Sequence, residues 1–135
     1  MIQTETSLRV RYGESDKMNY SYYGNYALYY EVGRTEMMRE LGMSYRKLED
    51  NGIMLPVLDL HVRYIKPAPY DELLTIKTYI KEKPTVKIKF EYEIFNEQNE
   101  LINKGYTTLV FVDMKKNKPV RAPQIFMSLI QQYFD

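Results

Sequence analysis

The chain has 135 residues, of which 44% are hydrophobic, and a formal net charge of +1. This length fits one domain that buries roughly two-thirds of its unfolded surface, so we expect residues 1–135 to form a single domain. No cysteine is present, which excludes disulfides, thiolate nucleophiles and cysteine metal ligands. The near-zero charge gives no reason to expect a nucleic-acid or membrane partner. Because no segment approaches the roughly 20 apolar residues of a membrane-spanning helix, we expect a soluble cytoplasmic protein.

The first third of the chain predicts a strand, a loop and a long helix. Residues 5–12 alternate apolar and basic side chains up to Gly13, which indicates a strand that ends in a loop. Over residues 23–41 apolar positions recur at steps of three and four, the spacing of one helical face, and Gly42 is placed as a C-cap. Glycine inside a helix costs about 1 kcal/mol relative to alanine, so we expect Gly33 to mark a close approach between the helix and a sheet.

The rest of the chain predicts mainly strands. Runs bounded by Pro, Gly or Asn predict a short helix over residues 44–51, strands over 53–65, 72–83, 86–95 and 100–113, and a terminal helix over 124–134. The links between the strands are short, which favours antiparallel pairing over parallel crossovers. We therefore predict an α+β fold in which one long helix lies on one curved antiparallel sheet.

The residue inventory excludes several kinds of catalytic site. His61 is the only histidine and lies within a predicted strand, so a Ser-His-Asp triad is not indicated, and we interpret it as a satisfied or surface-facing strand residue. One histidine and no cysteine leave no ligand set for a metal. The six glycines form neither of the familiar nucleotide-phosphate motifs, so we expect no cofactor. Glu14 and Asp16 lie two apart in a loop, which is not a signature of paired-carboxylate glycosidases.

Asp16 is the best remaining candidate for a catalytic residue. It lies a few residues before the predicted helix start at Tyr23, where free backbone N–H groups and the positive end of the helix dipole can stabilise a developing oxyanion. Aspartates before helices are also commonly turn or capping residues. The spacing alone favours this second interpretation.

Residues 13–36, GESDKMNYSYYGNYALYYEVGRTE, resemble the signature of hot-dog-fold acyl-CoA thioesterases of the 4-hydroxybenzoyl-CoA thioesterase type. Asp16 matches the catalytic aspartate of that family, and Tyr23 matches its His/Tyr position at the helix start. Asn25 and Tyr26 match its Asn-Tyr pair. With this pattern included, catalysis becomes the preferred interpretation of Asp16.

The resemblance extends beyond this segment. Residues 58–82 are similar to the second and third strands of the family, and residues 118–123, KPVRAP, to its C-terminal tail motif. The chain departs from the pattern at Glu14, which replaces the usual first aspartate, and at residues 18–20, Met-Asn-Tyr, which replace a small glycine-containing turn. Neither departure affects the catalytic position.

The resemblance implies a hot-dog fold, with one long central helix wrapped by a five-stranded sheet, and hydrolysis of an acyl-CoA thioester. The backbone N–H of Tyr23 would polarise the thioester carbonyl, and Asp16 would act either as nucleophile or as general base on a water molecule. Two other functions remain open: hydrolysis of the same bond on acyl-carrier protein, and binding of an acyl-CoA without turnover. The family uses paired protomers with active sites at the seam, so we expect a homodimer or homotetramer.

Tyrosines and lysines supply further candidates for substrate binding. Tyrosines around the helix start suit an aromatic or short polar acyl group. Lysines on the strands around residues 84–85 would form a basic patch for the phosphates of CoA, and a solvated sheet face is the alternative. The candidates for substrate binding are Asn25, Tyr26, Tyr20, Tyr22, Lys66, Lys83 and Lys87.

Overall fold

Period-two patterning in the chain produces five long strands in the computed structural model, which describes residues 1–134. These strands are β1 (Ile2–Arg9), β3 (Val57–Tyr64), β4 (Leu73–Ile80), β5 (Lys87–Phe95) and β6 (Leu101–Val110). Three strands of two residues are β2 (Ile53–Met54), β7 (Val112–Asp113) and β8 (Lys118–Pro119). The helices are α1 (Tyr26–Glu40), α2 (Tyr45–Asp50) and α3 (Gln124–Ile130), and 3-10 turns cover Tyr12–Glu14, Tyr23–Asn25 and Gln131–Tyr133.

The long strands form one sheet, and α1 covers one face of it. The order is β1-β4-β5-β6-β3, with every neighbouring pair antiparallel. α1 packs on β1, β4 and β5, while β2, β7 and β8 form a small second sheet. The predicted α+β fold, one long helix on a five-stranded antiparallel sheet, is confirmed. Within residues 1–134, no helix is long and apolar enough to cross a membrane.

The core lies between α1 and the sheet. On β5, Ile88, Phe90, Tyr92 and Ile94 are at most 1% exposed, and the residues between them lie on the outer face, as the alternation in the sequence predicts. The buried side of α1 consists of Tyr26, Tyr29, Tyr30, Gly33, Arg34, Met37 and Met38. The apolar positions that the helical periodicity places on one face are Tyr26, Tyr30, Gly33, Met37 and Leu41. The first four lie on this buried side, and Leu41 follows the end of the helix.

Two glycines allow α1 and the sheet to meet closely. A Cβ at Gly33 would lie 2.5 Å from Thr78 Oγ1 and 2.9 Å from Ile76 Cγ2, both on β4. The predicted close approach at Gly33 is therefore confirmed. A Cβ at Gly105 on β6 would lie 2.0 Å from the His61 carbonyl oxygen of β3 and 2.7 Å from the Tyr30 hydroxyl oxygen of α1. The Tyr30 ring stacks on Tyr92, with centroids 4.2 Å apart and planes at 6°.

The boundaries of the first two elements differ from the prediction. β1 starts at Ile2 and ends at Arg9, because its pairing with β4 ends there and a 3-10 turn follows. Residues 23–25, predicted as the first turn of the helix, form a 3-10 turn, and α1 proper begins at Tyr26. Gly42 has a φ of +92°, a backbone conformation that suits the C-cap predicted there.

Two predicted strands are divided. The run over residues 53–65 separates into β2 and β3 at Pro56, which has no N–H to donate to a ladder. The run over residues 100–113 separates into β6 and β7 at the buried Phe111. The longer parts, β3 and β6, pair with each other in the main sheet, and the short parts, β2 and β7, pair in the small second sheet. The chain therefore passes between the two sheets at Pro56 and again at Phe111.

The close contact at Gly33 predicts the effect of a methyl group. Gly33→Ala gains about 1 kcal/mol of helix propensity but overlaps buried atoms of β4, which typically costs about 1–3 kcal/mol. We expect a net loss of about 1 kcal/mol in the free energy of unfolding, measured by urea titration. Gly13→Ala is the matched control, since a Cβ there has nothing within 4 Å. A Gly33→Ala variant as stable as the wild type would contradict the close packing.

Candidate active site

A cleft of about 310 Å³ opens between the loop after β1, the start of the long helix and the end of β3. It brings together five of the predicted site residues: Asp16, Tyr20, Tyr23, Tyr26 and Lys66. The other lining residues are Met18, Ser21, Tyr64, Ile65 and Pro67. A larger concavity of about 590 Å³ on the outer face of the sheet contains none of the predicted site residues. Asp16 and Tyr23, to which the sequence analysis assigned the chemistry, therefore lie together at the smaller cleft.

The Asp16 carboxylate is held by one of its two oxygens. Oδ1 accepts hydrogen bonds from the amides of Met18 and Tyr20, at 2.9 and 3.3 Å. The backbone closes the same turn, since the Asp16 amide donates to the Tyr20 carbonyl at 2.8 Å and Asn19 adopts a φ of +66°, which asparagine tolerates. Within residues 1–134, Oδ2 accepts no hydrogen bond. One oxygen therefore orients the side chain in the turn, and the other is available to a ligand.

Tyr23, at the start of the helical segment, also lines the cleft. Tyr22 is the N-cap of the 3-10 turn that leads into α1, and no side chain caps this turn. As the first N–H of a helical segment, the Tyr23 amide has no intrahelical acceptor, and none is found elsewhere in the part of the chain that the structure describes. Asp16 is therefore a turn residue and not a helix cap, which leaves the helix start free to donate to a ligand.

Glu14 connects the loop to the helix through both its backbone and its side chain. Its carbonyl accepts from the Tyr22 amide at 2.8 Å and from Asn25 Nδ2 at 2.7 Å. Its carboxylate accepts from the Tyr29 hydroxyl at 2.9 Å and pairs with Arg11 at 2.7 Å. We call this set of contacts the Glu14 clasp. It holds Tyr22, the residue before Tyr23, against Glu14, which lies two positions before Asp16.

The clasp also shifts the ionisation of Glu14. Partial burial opposes ionisation, but hydrogen bonds from the Arg11 amide, the Arg11 guanidinium and the Tyr29 hydroxyl outweigh it. The pKa of Glu14 is therefore below its ordinary value of 4.5. A charged carboxylate is thus part of the loop structure at neutral pH.

Tyr64 is a cleft residue that the sequence analysis missed. Its hydroxyl donates to the Tyr23 carbonyl at 2.9 Å, and its ring lies edge-on to Tyr26 with centroids 5.3 Å apart. Burial and the neighbouring Tyr64 raise the pKa of Tyr26 to about 12. Tyr64 is 41 positions from Tyr23 in the chain, so no local pattern connects the two residues. The one signal in the sequence is that Tyr64 alternates in step with Leu60 and Val62 along β3, which places its side chain on the face of the sheet that carries the helix.

Four predicted substrate-binding residues lie outside the cleft. The Asn25 side chain is used in the Glu14 clasp, and the Tyr22 ring packs on Tyr23 at 4.5 Å between centroids. Lys83 lines a separate cavity of about 370 Å³ beside Arg121, and Lys87 is exposed at the start of β5. Their assignment to substrate binding stays a prediction.

Some lysines in the predicted basic patch have acidic partners. Lys77 pairs with Glu5 at 3.7 Å and Lys81 with Glu91 at 3.5 Å. Lys66, in the cleft, pairs with Glu100.

Residues 1–134 contain no group of three or more His, Asp or Glu side chains that could hold a metal ion.

Comparison with known proteins decides the family. Residues 10–130 match the family described as thioesterase-like superfamily. The chain belongs to this superfamily. It is 33% identical over 126 residues to the putative acyl-CoA thioesterase YneP of Bacillus subtilis, covering 93% of this chain and 91% of that protein. It is 31% identical over 125 residues to the acyl-CoA thioester hydrolase YbgC of Escherichia coli O6:H1, covering 93% of each.

A solved structure supports the same family. The DHNA-CoA thioesterase from Staphylococcus aureus is 38% identical, with a TM-score of 0.85, and the match covers 99% of this chain and 85% of that one. The hot-dog fold and the interpretation of the chain as a thioester hydrolase are thus confirmed.

The Glu14 clasp predicts a pH-dependent stability difference. A carboxylate whose pKa is lowered by folding stabilises the fold fully above its unfolded pKa, and the contribution is lost as the pH falls through the folded pKa. We expect Glu14→Gln to be less stable than the wild type at neutral pH, with the difference shrinking below about pH 4.5. Urea titrations between neutral pH and about pH 3 measure this difference. Glu82→Gln, an exposed carboxylate, is the control, and an equal loss in both variants would contradict the clasp.

Proposed function

We propose that this chain hydrolyses acyl-CoA thioesters in the cleft between Asp16 and the Tyr23 amide. The thioester carbonyl oxygen accepts a hydrogen bond from the Tyr23 N–H, and the free Oδ2 of Asp16 addresses the carbonyl carbon directly or through a water molecule. The observation that supports this assignment is that two residues line the same cleft: Asp16, whose oriented carboxylate has one free oxygen, and Tyr23, whose helix-start amide is unpaired.

The amide contributes by stabilising the charge that develops on the carbonyl oxygen. Because that charge is larger in the tetrahedral transition state than in the thioester, the Tyr23 N–H lowers the barrier instead of only tightening binding. One donor of this kind typically contributes about 3 kcal/mol. The hydroxyl of Tyr64 strengthens the arrangement by holding the Tyr23 carbonyl, which limits rotation of the adjacent peptide.

Asp16 can act by either of two routes. As a nucleophile, Oδ2 bonds to the carbonyl carbon, the carbon–sulfur bond breaks, CoA leaves as a thiolate, and water then cleaves the mixed anhydride. As a general base, Oδ2 takes a proton from water, the hydroxide attacks the same carbon, and the thiolate leaves and is protonated. Rapid-quench analysis with a labelled acyl group distinguishes them, because only the first route attaches the label to the protein.

An aromatic acyl group fits the cleft best. Tyr20, Tyr23, Tyr26 and Tyr64 line the space, and aromatic side chains favour stacking with a flat ring that carries polar substituents. A long alkyl chain would need room beneath α1, but Tyr30 is fully buried there and stacked on Tyr92. The similar DHNA-CoA thioesterase from Staphylococcus aureus is named for an aromatic acyl group of this kind.

We further propose that the protein acts as a homodimer joined along β3. This strand lies at an edge of the sheet, and its apolar side chains are unusually exposed: Val57, Leu58, Leu60 and Tyr64 are 45–51% exposed. An apolar edge strand of eight residues is a ready template for pairing with a second strand. The other edge strand, β1, does not show such an apolar surface. Its exposed residues are mostly polar, and the residues between them are covered by α1.

Dimerisation along β3 brings the basic cavity of one protomer towards the cleft of the other. Lys83 lies at the end of the sheet where β3 begins. It shortly precedes Lys87, the first residue of β5, which pairs with Val110 of β6, and the adjacent Leu109 pairs with Val57 at the start of β3. The Asp16 cleft adjoins the opposite end of β3, which is about 25 Å away. Antiparallel pairing places the start of one β3 beside the end of the other. Lys83 and Arg121 of one protomer are therefore suited to hold the CoA phosphates of a substrate bound in its partner.

The role of Asp16 predicts a selective loss of turnover. Asp16→Asn keeps an oxygen that accepts from Met18 and Tyr20 but removes the charged oxygen, so we expect kcat to fall at least about 100-fold. Binding of a non-hydrolysable aromatic acyl-CoA analogue, measured by calorimetry, should change little. Asp50→Asn, an exposed aspartate on α2, is the matched control. Unchanged thiol release by Asp16→Asn would remove Asp16 from its role, and binding without turnover by the wild type would favour the acyl-CoA-binding module.

The basic cavity predicts a substrate-dependent change in KM. Lys83→Ala and Arg121→Ala should each raise KM for acyl-CoA several-fold, since a charge-assisted contact to phosphate contributes about 1.5–3 kcal/mol when fully formed. KM for the same acyl group on pantetheine, which lacks the nucleotide, should not change. Equal effects on both substrates would contradict phosphate contact. Activity on acyl-carrier protein that free CoA fails to inhibit would instead favour the carrier-protein alternative.

A mixture of variants separates the two subunit arrangements. A hybrid of Asp16→Asn and Lys83→Ala chains contains one fully wild-type site if Lys83 acts on the partner's cleft. Mixing the two variants should then restore turnover at low acyl-CoA concentration above the sum of the separate activities. If Lys83 acts within its own chain, each site of the hybrid keeps one defect and no recovery follows.

A further inference from the structure

A second groove, of about 320 Å³, lies between the end of β1 and the long helix α1. We call it the β1–α1 groove. It shares no lining residue with the active-site cleft, whose volume is about 310 Å³. Three of its lining residues, Arg11, Glu14 and Tyr29, belong to the Glu14 clasp. The groove therefore borders the contacts that hold the loop of Asp16.

One part of the groove is apolar. Leu8 of β1 and Leu28 and Val32 of α1 line it, and Leu28 is 54% exposed. A single exposed leucine on a helix is ordinary, but here three aliphatic side chains meet in one concavity. Burying the apolar body of a ligand against them is favourable, in proportion to the area removed from water.

The other part of the groove is basic, because the Glu14 carboxylate is already saturated. Its Oε1 accepts from the Arg11 amide and the Tyr29 hydroxyl, and its Oε2 accepts from Arg11 Nε. Only 11% of the Glu14 side chain is exposed, against 80% of the Arg11 side chain. Within residues 1–134, Nη1 of Arg11 donates no hydrogen bond. Arg11 thus presents unused donors to the groove.

Arg9 adds a second guanidinium to the lining. It donates to the Asp71 carbonyl at 2.8 Å and lies 3.7 Å from the Glu97 carboxylate, and half of its side chain is exposed. The charged lining residues are therefore two arginines and one shielded glutamate. Guanidinium groups beside an apolar wall suit a ligand that carries a carboxylate on an apolar body.

We propose that the β1–α1 groove binds the free acid that thioester hydrolysis releases, with its carboxylate on Arg11 and Arg9 and its ring against Leu28 and Val32. This inference rests on the proposed function, which supplies an aromatic carboxylic acid. The groove and the cleft have nearly the same volume, so an acyl group that fits one fits the other. In the thioester the same carbon is bonded to sulfur and carries no charge, so the groove selects the product over the substrate.

The bound acid acts on turnover through the clasp. Its carboxylate competes with Glu14 for the Arg11 guanidinium, so binding weakens the ion pair that holds the loop. The loop of Asp16 then loses part of its orientation before substrate binds, and kcat falls while the cleft stays accessible. The coupling is reciprocal, since any change that weakens the clasp frees Arg11 and tightens binding of the acid.

Backbone amide shifts in isotope-labelled protein test the location directly. We expect 4-hydroxybenzoate to shift the amides of Leu8, Arg9, Leu28 and Val32 in addition to amides around the cleft. The matched probe is 4-hydroxybenzamide, which has the same ring and no charge and should leave these four amides unshifted. Shifts by 4-hydroxybenzoate that are confined to the cleft, or equal shifts by both probes, would overturn the site.

A variant of the apolar wall tests the effect on turnover. Leu28→Glu removes the leucine and places a like charge beside the bound acid, and glutamate is a good helix former. We expect 4-hydroxybenzoate to lower the thiol-release rate of the wild type at saturating acyl-CoA, and the concentration needed to rise at least about tenfold in Leu28→Glu. Without the acid, kcat and KM should not change, because Leu28 lines neither the cleft nor the clasp. Arg9→Gln should raise the same concentration several-fold.

Met114→Glu is the matched control, since Met114 is 47% exposed and lies in the turn after β7. It should keep the wild-type response to the acid. Equal inhibition of the wild type, Leu28→Glu and Met114→Glu would overturn the role of the groove, and groove shifts without a fall in kcat would overturn the coupling through the clasp. A wild type that releases no thiol would overturn the proposed function, while the amide shifts still report on the groove.

Discussion

The Glu14 clasp is the constraint on which the site depends. Asp16 belongs to a loop and the Tyr23 amide belongs to a helix start, so nothing in either element alone determines the distance between them. The Glu14 carbonyl joins the two by accepting from Tyr22 and Asn25, and its carboxylate adds bonds to Tyr29 and Arg11. Hydrogen bonds of this kind contribute about 1 kcal/mol each, and more when one partner is charged. Together they orient the loop before any ligand binds, which reduces the ordering that catalysis would otherwise require.

Asp16 shows how one side chain can hold a turn and still leave one oxygen free for chemistry. Its Oδ1 closes a tight turn, and this role alone would account for an aspartate at the position. Because the turn uses only one oxygen, the other is free to contact a ligand in the cleft that Asp16 lines. The turn and catalytic interpretations of the sequence are therefore not exclusive. A residue held by such a turn cannot rotate away from the cleft without losing two backbone contacts.

The single protomer leaves its cleft open and its apolar edge strand exposed, and these two features lie next to each other. Tyr64 belongs to both, since it lines the cleft and ends β3. A second copy on this edge would bury the apolar side chains and close the cleft with one set of contacts. Assembly and activity are then linked, because excluding water from the cleft strengthens the hydrogen bond from the Tyr23 amide.

The sequence by itself determined the elements and brought forward the residues of the proposed chemical centre. Period-two alternation identified the buried face of β5, helical periodicity identified the face of α1, and Gly33 marked the helix–sheet contact, because each of these signals is local in the chain. The spacing of Asp16 and Tyr23, with the family pattern, identified the pair that we propose to be reactive. Only the tertiary structure decided that Tyr64 lines the cleft, that Lys66 pairs with Glu100, that Asn25 belongs to the clasp and that Lys83 lies at the far end of the sheet. Strand order and register set these proximities, and they depend on contacts between residues far apart in sequence that no local periodicity encodes.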